Sequence, residues 1–273
     1  LGLSGVRLRL TKGIHLVFDH ARLPVTDAVV ITEGTRILFV IPWGERVIVG
    51  TTDTDYSGPI EAVRTEWEDV DYLLKTVNEF FPEARLNPLD VISSWAGLRP
   101  LIARGEGKPS DISRSHRIDQ TEPGWWDVSG GKLTTYRLMA EQTVDRITVL
   151  LGGKFDRCKT AEQPLLAPEE VAGMSGIIPP PPSRKSVEHF STREWAVHLD
   201  DVMMRRSGWH YYFRNAAAIA EQTATWMQSI HGWTSDQREQ ELHRYRSASD
   251  WPVRRTSEWP MCKDLETVAH ETP

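Results

Sequence analysis

Gly130-Gly131-Lys132-Leu133-Thr134-Thr135-Tyr136-Arg137 sets two glycines, a lysine and two threonines between an extended run and a helical one. Trp125-Trp126-Asp127-Val128 precedes it as a short strand. Tyr136, Ala140, Thr143, Ile147 and Leu151 follow at helical spacing until Gly152-Gly153 stops the helix. A helix N-terminus carries unpaired N–H groups and a partial positive charge, and glycine lets a ligand approach that backbone closely. The stretch is therefore a candidate cradle for a cofactor or a phosphate. Taken alone, it reads equally as an ordinary strand-to-helix turn, and the rest of the chain has to decide.

The chain has 273 residues, 40% of them hydrophobic and 26% charged, enough for one large or two modest domains with a sizeable core. Its net charge of −6 argues against general attraction to nucleic acid or to an anionic membrane, so an anionic substrate has to be held locally. Cys158 and Cys262 stand far apart and fit neither a disulfide framework nor a metal-ligand spacing, which makes a reducing, cytoplasmic setting the default. No apolar run approaches the roughly twenty residues of a membrane span, and no signal-peptide layout opens the chain. The opening Val6-Arg7-Leu8-Arg9-Leu10-Thr11-Lys12-Gly13, after a first residue that is not Met, reads as the middle of something longer.

Upstream of the glycine turn, Ile14 to Phe18, Ala28 to Ile31, Ile37 to Ile41 and Val47 to Val49 are β-branched or apolar runs separated by turn signals. The separators Glu33-Gly34-Thr35 and Trp43-Gly44-Glu45 suit hairpins, so a mixed or antiparallel sheet is expected. Gly50 to Asp55 reads as a tight loop held by Thr and Asp side chains. Thr65 and Glu68 offer a capping box for a helix whose Val70, Leu73, Leu74, Val77 and Phe81 share a face before Pro82 ends it. Val91 to Leu101 and Ile112 to Ile118 are further extended pieces. Downstream, Pro164, Pro168 and Pro179 to Pro182 mark a linker. Beyond it a Phe213, Ala217, Ala220, Ala224 and Met227 stripe predicts a helix ending at Gly232, and Thr234 with Gln237 caps another. Trp195, Trp209 and Trp226 are expected to pack rather than bind. The divisions are 1–152, a linker over 153–183, and a small helical domain over 184–273.

Four side chains stand out as chemistry. His15 is a polar ring among apolar strand neighbours, a pattern that a core histidine also satisfies. Arg99 precedes Pro100 at the end of an apolar strand and wants a negative group: Asp53, Asp55 or a substrate. Arg114, Arg117 and Lys132, with Arg99, could converge on a doubly charged anion such as phosphate, although Arg117 alternates with Arg114 and suits a solvated surface as well.

Together these motifs resemble the FAD-dependent glycerol-3-phosphate dehydrogenase family: Lys-Gly-Ile-His at 12–15, Gly-Thr-Thr-Asp at 50–53, Gly-Leu-Arg-Pro-Leu at 97–101, Ser-Arg at 113–114 and Gly-Gly-Lys-Leu-Thr-Thr-Tyr-Arg at 130–137. Met204-Arg205-Arg206-Ser207-Gly208-Trp209 is similar to that family's C-terminal helical domain. The resemblance implies an α+β or α/β protein: a D-amino-acid-oxidase-like substrate sheet with the C-terminal part of an FAD domain, then helices. It implies oxidation of sn-glycerol 3-phosphate to dihydroxyacetone phosphate, with hydride passing from C2 to flavin N5. Carried over, Gly131, Lys132, Leu133 and Thr134 lie at the flavin's N1/C2 carbonyl edge, where a helix N-terminus favours the charge that reduction brings. His15 becomes the acceptor of the C2 hydroxyl proton, Arg99 the partner of the developing alkoxide, and Arg114 and Lys132 contacts of the substrate. As a base His15 must be neutral, and neighbouring cations disfavour its charged form. Electrons would go to quinone or, in an oxidase, to oxygen, and peripheral attachment at the cytoplasmic face of the membrane and a homo-oligomer are both compatible. The family's Gly-x-Gly-x-x-Gly turn for the ADP half of FAD does not occur here, so the 273-residue chain alone is expected to bind FAD weakly and to be inactive. Other classes remain open: an amine-oxidising flavoprotein with a carboxylate substrate, or a non-enzymatic phosphate-binding or assembly module.

Overall fold

The computed structural model describes residues 8–33, 36–102, 115–174 and 176–248. In chain order the strands are β1 (Leu8–Asp19), β2 (Val29–Glu33), β3 (Arg36–Trp43), β4 (Arg46–Gly50), β5 (Thr54–Asp55), β6 (Val91–Ile102), β7 (His116–Glu122) and β8 (Trp125–Gly130). The helices are α1 (Trp67–Phe80), α2 (Tyr136–Leu151), α3 (Pro168–Val171), α4 (Arg184–Arg193), α5 (Trp209–Tyr212), α6 (Ala216–His231) and α7 (Ser235–Ala248). Contacts divide the chain into two units, the first Leu1–Lys12, Asp53–Ile60 and Leu98–Val171, the second Gly13–Thr52, Glu61–Gly97 and Ala172–Pro273.

In the second unit the period-two pattern decides the sheet. Strands run in the order β2-β3-β4-β1, all antiparallel, and β6 also pairs with β1. Ile14, Leu16 and Phe18 of β1 turn to one face with Val47, Val49, Leu38, Val40 and Ile31, and α1 covers them with Val70, Leu73, Leu74 and Val77. Each fully buried aliphatic side chain of this set contributes about 1.5–3 kcal/mol. The expected hairpins are present, with β1 reaching further at both ends than the apolar run suggested. The capping box of α1 sits one residue later than expected: Glu66 N donates to Asp69 Oδ2 at 3.1 Å. Thr65 is spent elsewhere, its Oγ1 accepting from Ser94 Oγ at 3.0 Å in the buried interior.

The same unit holds a second apolar cluster built from Val187 and Phe190 of α4, Leu199, Met203, Trp209, the α6 face and Leu242 of α7. Ser183 caps α4 by accepting from Ser186 N at 3.1 Å. Thr234 and Gln237 form the expected reciprocal cap of α7, at 2.8 and 3.2 Å. The buried face of α6 is Ile219, Ala220, Thr223, Ala224 and Met227, so the expected stripe is corrected: Phe213 precedes the helix and Ala217 is exposed. Trp209 is fully buried, whereas Trp195 is 85% exposed at a positive φ of 58°, against the packing expected of it. The tail of the proline-rich stretch is bonded, with Ile177 O accepting from Trp43 Nε1 at 2.5 Å and Pro180 O from Trp209 Nε1 at 2.6 Å.

In the first unit β5 pairs with β1 at Thr11 and Lys12, and β7 with β8 forms a hairpin that carries a bulge between Gln120 and Glu122. Gly152 ends α2 in the left-handed conformation, as expected of a terminal glycine. None of the residues of α2 is buried.

Candidate functional site

His15 follows from register. It faces Gly50 of β4, Gly50 faces Phe39 of β3, and Phe39 faces Val30 of β2, so these four form one row across the sheet, on the side opposite α1. A Cβ on Gly50 would stand 2.3 Å from His15 Cδ2 and 2.8 Å from Cγ. Only glycine at that point lets the imidazole lie over β4. The indole of Trp95 on β6 stacks on the imidazole, with ring centroids 4.9 Å apart and planes at 18°. Thr52 Oγ1 accepts from Ile14 N at 3.1 Å and ties the loop after β4 to β1 beside the histidine. Half-buried His15 is therefore set against the Trp95 indole, while its chain neighbours Ile14 and Leu16 are fully inside.

Of the negative groups open to Arg99, the first unit supplies Asp53. Arg99 Nη1 lies 3.2 Å from Asp53 Oδ1, both side chains a little under one-third exposed. Asp55 belongs instead to Arg9, which grips it with two bonds of 2.6 and 2.7 Å. Those hydrogen bonds hold the Asp55 carboxyl below its ordinary range. Arg117 pairs with Asp119 at the surface, as expected of a solvated charge. Arg114 lies outside the described residues.

At the glycine turn, Gly130 and Gly131 adopt φ of 71° and 82°, two successive left-handed residues that only glycine takes without strain. The chain then makes a 3-10 turn over Leu133–Thr135 and enters α2. Lys132 N donates to Thr135 Oγ1 at 3.2 Å, which leaves the N–H groups of Leu133 and Thr134 at positions with no acceptor earlier in the helix. Leu133 is 87% exposed, an apolar side chain standing free over the helix start. Gly131 has an internal reason as well: a Cβ there would meet Met139 Sδ at 2.5 Å and His116 Cβ at 3.1 Å. His116 Nε2 and Gln142 Oε1, 2.6 Å apart, tie the hairpin to α2. An exposed helix N-terminus with an exposed leucine suits the edge of a flat, electron-rich ring.

The model of the FAD dependent oxidoreductase family (DAO) matches residues 1–146, more than half of the chain and a span that contains His15, Gly50, Arg99 and the glycine turn. The chain belongs to the FAD-dependent oxidoreductase family. Within it, the chain is 45% identical over 167 residues to the aerobic glycerol-3-phosphate dehydrogenase of Bacillus subtilis, a match covering 59% of this chain and 30% of that protein. The enzyme of the same name from Staphylococcus saprophyticus is 41% identical over 160 residues, 56% of this chain and 29% of its own length. The matches thus span less than one-third of these curated relatives. Among solved structures, the glycerol-3-phosphate dehydrogenase from Bacillus halodurans complexed with FAD superposes with a TM-score of 0.73 at 26% identity, covering 91% of this chain and 59% of that one. The expected oxidase-like fold is therefore shown, helical C-terminal part included.

In this oxidoreductase fold His15 lies in the second unit, while Arg99 and the residues Gly131 to Thr134 lie in the first. Within their own units, His15 is joined to Trp95 and Gly50, and Arg99 to Asp53. Sequence reasoning missed Trp95 as a partner of His15, because a tryptophan inside an apolar strand looks like ordinary core. The signal that was present is Gly50, a glycine ending a β-branched strand, which marks a close approach without naming its partner.

Proposed function

We propose that this protein takes part in the FAD-dependent oxidation of sn-glycerol 3-phosphate to dihydroxyacetone phosphate, with the electrons passed on to a quinone. The observation that carries this reading is His15, an imidazole stacked on Trp95 and set close against the bare backbone of Gly50 on a sheet of the FAD-dependent oxidoreductase fold. The names of the Bacillus and Staphylococcus relatives supply the substrate.

Bound FAD supplies the hydride acceptor for the hydrogen on substrate C2. His15 takes the proton of the C2 hydroxyl on a ring nitrogen, so that carbon loses a hydride and oxygen a proton, and the ketone results. Arg99 stabilises the negative charge growing on that oxygen, and its pairing with Asp53 keeps the guanidinium oriented until substrate arrives. Arg114 and Lys132 hold the phosphate. Gly131 shapes the turn, and Lys132, Leu133 and Thr134 would hold the flavin ring at the helix N-terminus, whose partial positive charge would favour the negative charge that reduction brings. The surface or interior of the cytoplasm is the setting, with attachment to the cytoplasmic face of the membrane as the route to quinone.

The test is steady-state oxidation of glycerol 3-phosphate by the FAD-loaded full-length protein, followed with a soluble quinone under argon and by peroxide formation in air. His15→Asn is expected to lower kcat by about 10²–10⁴-fold with little change in KM. Arg114→Ala is expected to raise KM about tenfold or more with kcat nearly kept. Undiminished turnover in H15N removes the proposed base, and peroxide in place of reduced quinone replaces the acceptor by oxygen.

A further inference from the structure

We infer that Trp95 and Tyr211 are positioning residues for His15, so that the helical C-terminal part sets the orientation of the imidazole through the Trp95 indole. The inference rests on the reading of His15 as proton acceptor and extends it to residues that act through another ring.

The chain of contacts lies wholly inside the second unit. The Trp95 indole stacks on His15 at 4.9 Å, and the backbone of Gly50 lies so close to the imidazole that a Cβ there would stand 2.3 Å from Cδ2. What holds the indole in turn is Tyr211, in α5, whose ring meets Trp95 edge-on at 5.1 Å and 60°. Offset and edge-on pairs of this kind contribute directional preference beyond the area they bury. Tyr211 is itself anchored: its carbonyl accepts from Ser93 Oγ at 2.7 Å, from the strand that carries Trp95 two residues later. The neighbouring residue doubles the anchor, since Tyr212 O accepts from Arg46 Nε at 2.8 Å and Tyr212 Oη accepts from Glu45 N at 3.0 Å.

Room to move makes the anchor necessary. A cavity of about 430 Å³ lined by Ile41, Trp43, Ile48, Trp95 and Tyr211 borders the indole, so packing alone does not fix its angle. With Tyr211 removed, the indole has space to turn off the imidazole, and the stack that defines the plane of His15 is lost. A base misplaced by about 1 Å loses on the order of 10²-fold in rate.

The experiment reads the imidazole directly. In the 273-residue chain labelled with ¹⁵N and ¹³C in histidine, the His15 ring resonances are assigned by their loss in H15N, and then followed in Trp95→Leu, Trp95→Phe, Tyr211→Leu and Tyr211→Phe. Stacking predicts an upfield ring-current shift of the His15 ring protons, lost in W95L, largely kept in W95F and Y211F, and averaged in Y211L. In the FAD-loaded full-length protein the same leucine variants are expected to lower kcat about 10–100-fold with KM changed less than threefold, and the aromatic variants to restore most of it. Unchanged His15 ring shifts in both leucine variants, with the fold intact by circular dichroism, overturn the inference, and so does loss of turnover that phenylalanine fails to rescue. If the ring shifts respond as expected while H15N keeps full turnover, the positioning stands and the base reading falls.

Discussion

A single missing methyl group decides where the imidazole of His15 sits. Alanine at position 50 would place a Cβ 2.3 Å from His15 Cδ2 and 2.8 Å from the carbonyl oxygen of Ile14, closer than carbon atoms approach without displacement. The ring can swing, but the backbone oxygen cannot, and overpacking of this kind costs about 1–3 kcal/mol. Gly50→Ala is therefore expected to lower the urea midpoint of unfolding and to shift the His15 ring resonances together; an unchanged midpoint would show that β4 gives way freely. His15 and Gly50 were both visible in the sequence, yet their partnership was not. Pairing register depends on which strands adjoin, and that is a property of the sheet rather than of either motif. Arg99 illustrates the converse. Its need for a negative group was legible from the cost of leaving a guanidinium half-buried, and the preference for Asp53 over Asp55 required coordinates.

Between elements, the join of α5 to α7 carries a pH dependence. His210 of α5 and Tyr245 of α7 meet through Nδ1 and the phenolic oxygen at 2.7 Å, in a buried setting where His210 Nε2 has no partner among the described residues. Burial lowers the pKa of His210 from 6.5 to about 4, and pushes the Tyr245 hydroxyl up. A group whose folded pKa is depressed binds its proton more readily in the unfolded chain. Stability is then full above about pH 6.5 and is lost as pH falls toward about 4, by about 3 kcal/mol over that window. Urea unfolding followed at helix wavelengths between pH 7 and pH 4 should show this loss in the native protein and a flatter profile in His210→Asn; parallel profiles would assign the acid sensitivity elsewhere. At this scale the sequence was a good guide where the signal is local. The Thr234–Gln237 box and the Gly152 and Gly232 stops are where the side chains placed them. It failed where a competing tertiary bond won, as when Ser94 engaged Thr65 and the cap of α1 moved to Glu66. The π-helical turn over Asp201–Arg206 had no periodic signature at all. It is organised by Asp200, a carboxylate almost wholly buried between Arg205 and Arg244.

On the scale of the molecule, burial is unevenly shared. Both apolar clusters belong to the second unit, whereas the described part of the first unit buries Leu101 and Ile118 as its large apolar side chains and leaves α2 with none. The stripe expected along α2 has Tyr136 and Leu151 more than 60% exposed. Periodicity tells which residues share a face, and it is silent on what covers that face, so this outcome was beyond the sequence. Few buried apolar contacts imply low free energies of local opening. Amides of α2 and of the β7–β8 hairpin are therefore expected to exchange with solvent deuterium at least about 100-fold faster than those of α1 and α6 at pH 7. The same measurement weighs the role of the glycine turn. A ligand that binds only the ordered turn stabilises it in proportion to the logarithm of its saturation. Adding FAD at increasing concentration should slow exchange selectively over residues 131–137 and the first turns of α2, with α6 unaffected. Exchange that stays fast at the turn while flavin fluorescence reports binding would place the ring elsewhere, and Leu133 and Thr134 would revert to an ordinary strand-to-helix junction.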